Sequence, residues 1–163
     1  MIKRVPGREF IQHRYQQNKV RTVYKYKTHY RKHWNWRETT ETPIVSLPLD
    51  EHIEVVNNFF PGFIIEHKIL KNSTWIDYNV VPGISAVEFP KEPEFIKKIY
   101  KFCLKNIEQT KPYAHFDWTL ENIIINGDKM QLIDWDTCAI YTEKEVQKHF
   151  NSCYISQLYK KHV

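Results

Sequence analysis

Residues His115–Asp136 read HFDWTLENIIINGDKMQLIDWD. Two apolar runs, Ile123–Ile125 and Met130–Ile133, flank the turn residues Asn126-Gly127-Asp128, which is the pattern of a β-hairpin. A purely structural hairpin needs no polar groups at its open end, yet Asp117 precedes it, Asn122 opens it, and Asp134 and Asp136 follow it. If the turn is tight, Asn122 falls within one or two residues of the position opposite Asp134 or its neighbour. An amide oxygen and a carboxylate then share one end of the strand pair, with Asp117 in the loop that feeds it. Hard oxygen ligands plus one free carboxylate suit a Mg²⁺-phosphate site. The ion neutralises phosphate oxygens, and the free carboxylate orients or deprotonates an attacking hydroxyl.

Working outward, the 163-residue chain is 42% hydrophobic and 15% aromatic, enough to bury a core in one domain or a small two-lobed unit. No apolar run approaches the ~20 residues of a membrane span. The start, MIKRVPGREF, has charge but no apolar segment of a secretory signal. Cys103, Cys138 and Cys153 are an odd set without metal-like spacing, which predicts buried free thiols in a reducing cytoplasm. Charge is uneven. Residues 1–40 hold eleven Lys and Arg against Glu9 and Glu38, a surplus of nine, while the remainder carries thirteen against seventeen. The basic part can face phosphates or form a solvated surface.

Period-two alternation predicts strands near Phe10–Tyr15 and Val20–Lys27, with a turn at Gln17-Asn18. The piece HYRKHWNWRETTET is ambiguous. Leu49–Phe60 reads as a helix capped by Asp50, with Ile53, Val56 and Phe60 on one face. Phe63–Leu70 and Trp75–Val81 read as strands, ended by Pro82-Gly83. Glu94–Ile107 is the clearest helix, with Pro93 at its start and a stripe of Phe95, Ile96, Ile99, Cys103 and Ile107. Thr142 and Glu145 form a capping box for one last helix to about Lys160, burying Val146, Phe150, Tyr154 and Leu158. The order implies a mixed α+β protein.

His115-x-Asp117-x4-Asn122 followed by Ile-Asp134-Trp-Asp136 resembles the catalytic loop and metal motif of kinase-fold phosphotransferases. The form is closer to aminoglycoside phosphotransferases, choline kinases and lipopolysaccharide kinases than to protein kinases, which have Arg after the His and Phe-Gly after the second Asp. Four such residues at these spacings would arise by chance in roughly 0.5% of chains, so the match carries weight. It covers Tyr113–Asp136 firmly and the rest weakly.

The resemblance implies a miniature two-lobed kinase-like fold. Residues 1–83 would be a small antiparallel-sheet lobe clamping the nucleotide, and 84–163 a reduced helical lobe with the catalytic hairpin. It implies ATP and Mg²⁺ as cofactors. Asp117 would be the catalytic base and His115 a brace for the loop. Asn122 and Asp134 would bind the metal, with Asp136 as a supporting or second-metal acid. The clamp would use a third-strand lysine paired with a helix Glu. Lys25 in RTVYKY, with Lys27 on its face, and Glu54 or Glu51 fill these places. Backbone groups near Asn79–Val81, before Gly83, would face adenine. Trp118 and Trp135 read as packing residues. No glycine-rich loop is present, since the first turn is Gln16-Gln17-Asn18, and basic side chains would have to replace its amides.

Only 27 residues follow Asp136, so the acceptor pocket would be minimal, shared with a partner, or completed by a second copy of the chain. Such brevity suggests a virus- or phage-encoded protein in a host cytoplasm. The implied activity is ATP-dependent phosphoryl transfer to the hydroxyl of a small acceptor. Three alternatives are a catalytically degenerate nucleotide-binding module, a protein Ser/Thr kinase, and RNA binding through TVYKYKTHYRKHWNWR, where aromatic rings interleave with cations.

Overall fold

A computed structural model describes residues 9–11, 21–35, 45–70 and 73–163. Their contacts divide the chain into two units, one of residues 1–44 with 48–80 and the other of 45–47 with 81–163.

In the first unit, β1 (Glu9–Ile11), β2 (Arg21–Lys25), β3 (His29–Asn35), β4 (Ile64–Leu70) and β5 (Ser73–Asn79) form one antiparallel sheet in the order β1-β2-β3-β5-β4. The ambiguous HYRKHWN is therefore the central strand. The expected turn at Gln17-Asn18 lies outside the described residues. Register places Val23, Lys32 and Ile76 side by side on one face, and Tyr24, Arg31 and Asp77 on the other. The first face is the core, where Val23, Trp34, Ile64, Ile76 and Tyr78 are buried.

Helix α1 (Leu49–Phe59) belongs to the same unit. Pro48 precedes its first turn and no side chain caps it, so Asp50 lies inside that turn instead of closing it. There its charge favours the positive end of the helix dipole. The buried face is His52, Val55 and Val56, one residue around from the expected Ile53, Val56 and Phe60. Tyr78 meets His52 with its hydroxyl 3.5 Å from Nε2. Phe63 packs on Tyr78 at 5.3 Å between ring centres.

The second unit opens with β6 (Ile84–Ser85), a 3-10 turn at Ala86–Glu88, and α2 (Pro93–Thr110). Helix α2 buries Ile96, Ile99, Cys103, Asn106 and Thr110, so its stripe runs one turn past the expected end. Then come β7 (Tyr113–Ala114), β8 (Ile123–Asn126), β9 (Lys129–Leu132) and β10 (Ala139–Ile140). β6, β8 and β9 form one small sheet, and β7 pairs with β10. The β8–β9 turn is two residues long, because Asn126 pairs with Lys129. Gly127 takes φ +59° there, the positive φ that such a hairpin requires at its first turn residue.

The expected single last helix is two, α3 (Glu143–Ser152) and α4 (Tyr154–His162). The Thr142–Glu145 capping box starts α3 through both reciprocal bonds. Cys153 is extended, at φ −71° and ψ 159°, and breaks the helical phase. Ile155 and Ser156 consequently turn inward, while Tyr154 is 59% exposed. Tyr100 of α2 stacks on Tyr159 of α4 at 3.9 Å. Among the described residues no helix is long and apolar enough to cross a membrane.

Candidate active site

The loop between β7 and β8 is shaped by its own backbone. Thr119 N–H donates to Asp117 O, Asn122 N–H to Thr119 O, and Ile123 N–H to Leu120 O, at 3.1–3.3 Å. At its centre sits His115, fully buried. Asp117 N–H donates to His115 Nδ1 at 3.2 Å. A backbone N–H can only donate, so Nδ1 is the acceptor and the ring proton resides on Nε2. Nε2–H donates in turn to Ile133 O at 2.8 Å. One neutral imidazole thus ties the residue that carries the Asp117 carboxylate to the residue just before Asp134. Burial is the main cause that pushes the His115 pKa below its usual value. The bond to Ile133 and the charges of Asp134, Asp117 and Asp136 oppose it, so all three carboxylates act electrostatically on this ring.

Asn122 is held from two sides. Ile133 N–H donates to Asn122 O at 2.8 Å, continuing the hairpin ladder by one step. Its Nδ2 donates to Asp117 Oδ2 at 2.9 Å and to Asp117 O at 3.1 Å. The amide nitrogen therefore fixes the Asp117 carboxylate. Asp134 follows Ile133 with φ +60°, a left-handed conformation that Asp tolerates better than most residues. Asp136 accepts a backbone bond from Ser46 at 2.8 Å, which fastens the 45–47 segment beside the motif.

Phe116 also has a positive φ, +66°, where a bulky side chain is strained by about 1–3 kcal/mol. Its ring is stacked on Tyr141 and on His149, each at 3.9 Å. Thr137 Oγ1 donates to His115 O at 2.7 Å. These contacts hold the loop in place. Trp118 and Trp135 are buried packing residues. Trp135 meets the His115 ring edge-to-face at 4.6 Å and donates Nε1–H to Leu132 O.

Among the described residues no three His, Cys, Asp or Glu side chains gather as a metal cage. A Mg²⁺ ion that keeps waters and phosphate oxygens needs only one or two protein carboxylates. An amide oxygen and the Asp134 carboxylate are of that kind.

In the first unit, the strand before α1 is β3, and its lysine is Lys32. Lys25 lies on β2 and is exposed, as are Lys27 and Glu54, whereas Glu51 is half-buried. Lys32 Nζ lies 5.2 Å from the Tyr78 ring centre, on the core face beside Val23 and Ile76. Sequence reasoning missed Lys32, Phe116, Tyr141 and Thr137. Counting strands backward from α1 would have found the first. The aromatic contacts of the others join distant segments and leave no local signal. Asn79 N–H donates to Phe63 O at 2.8 Å and its side-chain amide to Gly62 O, so Asn79 ties β5 to the turn after α1. Val81 is half-buried at the start of the second unit.

The opposite sheet face carries Arg31, His33, Trp75 and Asp77. Arg31 makes a two-pronged pair with the buried Asp77, at 2.7 and 3.0 Å, and lies 3.9 Å over the Trp75 ring. The bond to Asp77 raises the Arg31 pKa. His33 is pushed down by burial and by Arg31.

Fold comparison defines the class: this is a miniature kinase-like α+β fold. No protein-family model matches the chain, and no curated protein does. Among solved structures it is similar to monomeric WbdD, at 15% identity and a TM-score of 0.59, covering 92% of this chain and 41% of that one. A second structure, of the bifunctional kinase-methyltransferase WbdD, matches at 13% identity and a TM-score of 0.56, covering 92% and 38%. The chain spans about two fifths of the length of these solved chains.

Proposed function

We propose that the chain is a Mg²⁺- and ATP-dependent phosphotransferase that moves a phosphoryl group to the hydroxyl of a small acceptor. One observation carries this reading: a single neutral imidazole holds Asp117 and the approach to Asp134 together, while Asn122 orients the Asp117 carboxylate. Asp117 Oδ2 accepts from Asn122, leaving Oδ1 to receive the acceptor hydroxyl's proton. With its nitrogen engaged by Asp117, Asn122 presents Oδ1 to a cation, and Asp134 supplies the charged oxygen. Asp136 supports that pair. Lys32, with Lys25 on the same sheet face, takes the role of holding nucleotide phosphates. Bound Mg²⁺ would neutralise phosphate oxygens.

The test is Mg²⁺-dependent ATP turnover by purified protein. Asp117→Asn and Asp134→Asn should each lower it at least 100-fold with unchanged melting temperature, and Lys32→Met should raise KM for ATP. Asparagine also tolerates the left-handed backbone at 134. Turnover equal to that of the parent in both Asp variants would refute the reading.

A second reading is a nucleotide-binding module without turnover. The sequence Gln16-Gln17-Asn18, which holds no glycine where the resemblance calls for a glycine-rich loop, favours it. Stabilisation by Mg²⁺-ATP, about 2.7 kcal/mol at a hundredfold over Kd, without turnover would select it.

A further inference from the structure

The second unit contains a cavity of about 690 Å³ between α2, β7 and α3. None of the residues assigned above to metal or phosphate lines it. Its lining is mostly apolar and aromatic, including Tyr100, Leu104, Tyr141, Val146 and Phe150. The size and lining are those of a small-molecule site. Tyr141 also stacks on Phe116 at 3.9 Å, so a ligand there borders the loop that carries Asp117.

The charges at this cavity select the ligand. Lys111 Nζ sits 2.9 Å from Glu108 and 3.2 Å from Glu143. One ammonium is shared between two carboxylates, and its pKa is raised by both. The charged residues of the lining therefore sum to −1, on a chain whose total is +5. Tyrosine and phenylalanine rings add the negative faces that attract cations. We infer that this cavity binds a small aromatic or aliphatic molecule bearing one positive charge. The inference does not depend on phosphoryl transfer.

The probes are naphthylmethyl-trimethylammonium and naphthylmethanesulfonate, which share a ring system and differ in sign. Titration calorimetry with the intact chain should show the cation bound about tenfold or more tighter than the anion, the scale of one near-surface charge contact. Glu108→Gln with Glu143→Gln leaves Lys111 alone, changes the lining charge from −1 to +1, and should reverse the preference. Leu104→Trp should fill the cavity and abolish binding of both probes. Leu104 is 41% exposed, and if that variant fails to fold, Gln147→Trp on the α3 rim serves the same purpose. No binding of either probe, a preference unchanged in the double Gln variant, or binding that survives both Trp variants would overturn the inference. So would a dimer of the parent chain that Leu104→Trp or Gln147→Trp converts to monomer, since a second copy would then be the occupant.

Discussion

Replacing His115 with alanine should destabilise the second unit by about 3–5 kcal/mol. The imidazole is fully buried, with one hydrogen bond given to Ile133 O and one received from Asp117 N–H. Removing it orphans a carbonyl and an amide. Both belong to half-buried residues, so each costs near the lower end of the ~1–3 kcal/mol range. The vacated ring volume adds roughly 1–2 kcal/mol, and the lost edge-to-face contact with Trp135 about 0.5–1 kcal/mol. Urea unfolding followed by tryptophan fluorescence reports directly, since Trp118 and Trp135 are buried in this unit. At a slope near 2 kcal/mol/M, the midpoint should fall by about 1.5–2.5 M. The same ring sets a pH dependence. Burial holds its folded pKa below the unfolded value of 6.5, so it contributes no slope above that pH. As pH falls below about 6.5, the unfolded chain takes a proton that the folded ring refuses, and stability drops by up to ~1.4 kcal/mol per unit. The drop ends when the folded ring itself titrates. His33 shifts the same way, and its contribution should persist in His115→Ala while that of His115 disappears. A midpoint shift below about 0.5 M, or an unchanged acid slope, would refute the two-bond brace.

Gly83 has φ +135°, and a Cβ there would stand 2.4 Å from Ile125 O. Gly83→Ala should cost about 2–4 kcal/mol, measured by thermal unfolding, because backbone must move. Arg31→Ala leaves Asp77 buried beside His29, 3.8 Å away. A loss of about 2–4 kcal/mol is expected by denaturant titration, discounted for the partial exposure of the arginine. Burial pushes the Cys138 thiol up to about 12 and raises Cys103 as well. Iodoacetamide at pH 8 followed by mass mapping should label the half-buried Cys153 first, and equal labelling of all three in native protein would contradict the packing. Thr142→Ala removes the α3 capping box and should cost about 1 kcal/mol in melting experiments.

Much of the second unit was legible in the chain itself. The β8–β9 hairpin, α2 and the α3 cap rest on local signals: a turn glycine, a 3.6-residue apolar period, and a Thr-x-x-Glu box. The spacing of His115, Asp117, Asn122 and Asp134 pointed to one polar cluster because a two-residue turn fixes which residues face each other. The sequence could not reveal that HYRKHWN is the central strand. Each of its faces carries both ring-bearing and basic side chains, so no apolar alternation marks it, and its central place comes from pairing with β2 and β5. For that reason Lys32 went unread, and only Lys25 was singled out among the strand lysines. The split of the last helix at Cys153 was equally invisible, since no breaker residue marks it and only the packing of Ile155 and Ser156 makes the kink favourable. The tautomer of His115, the left-handed Phe116 and Asp134, and the stack of Phe116 between Tyr141 and His149 join residues up to 33 positions apart. Local propensity extends over a few residues, and contacts across such separations exist only once the whole unit has closed.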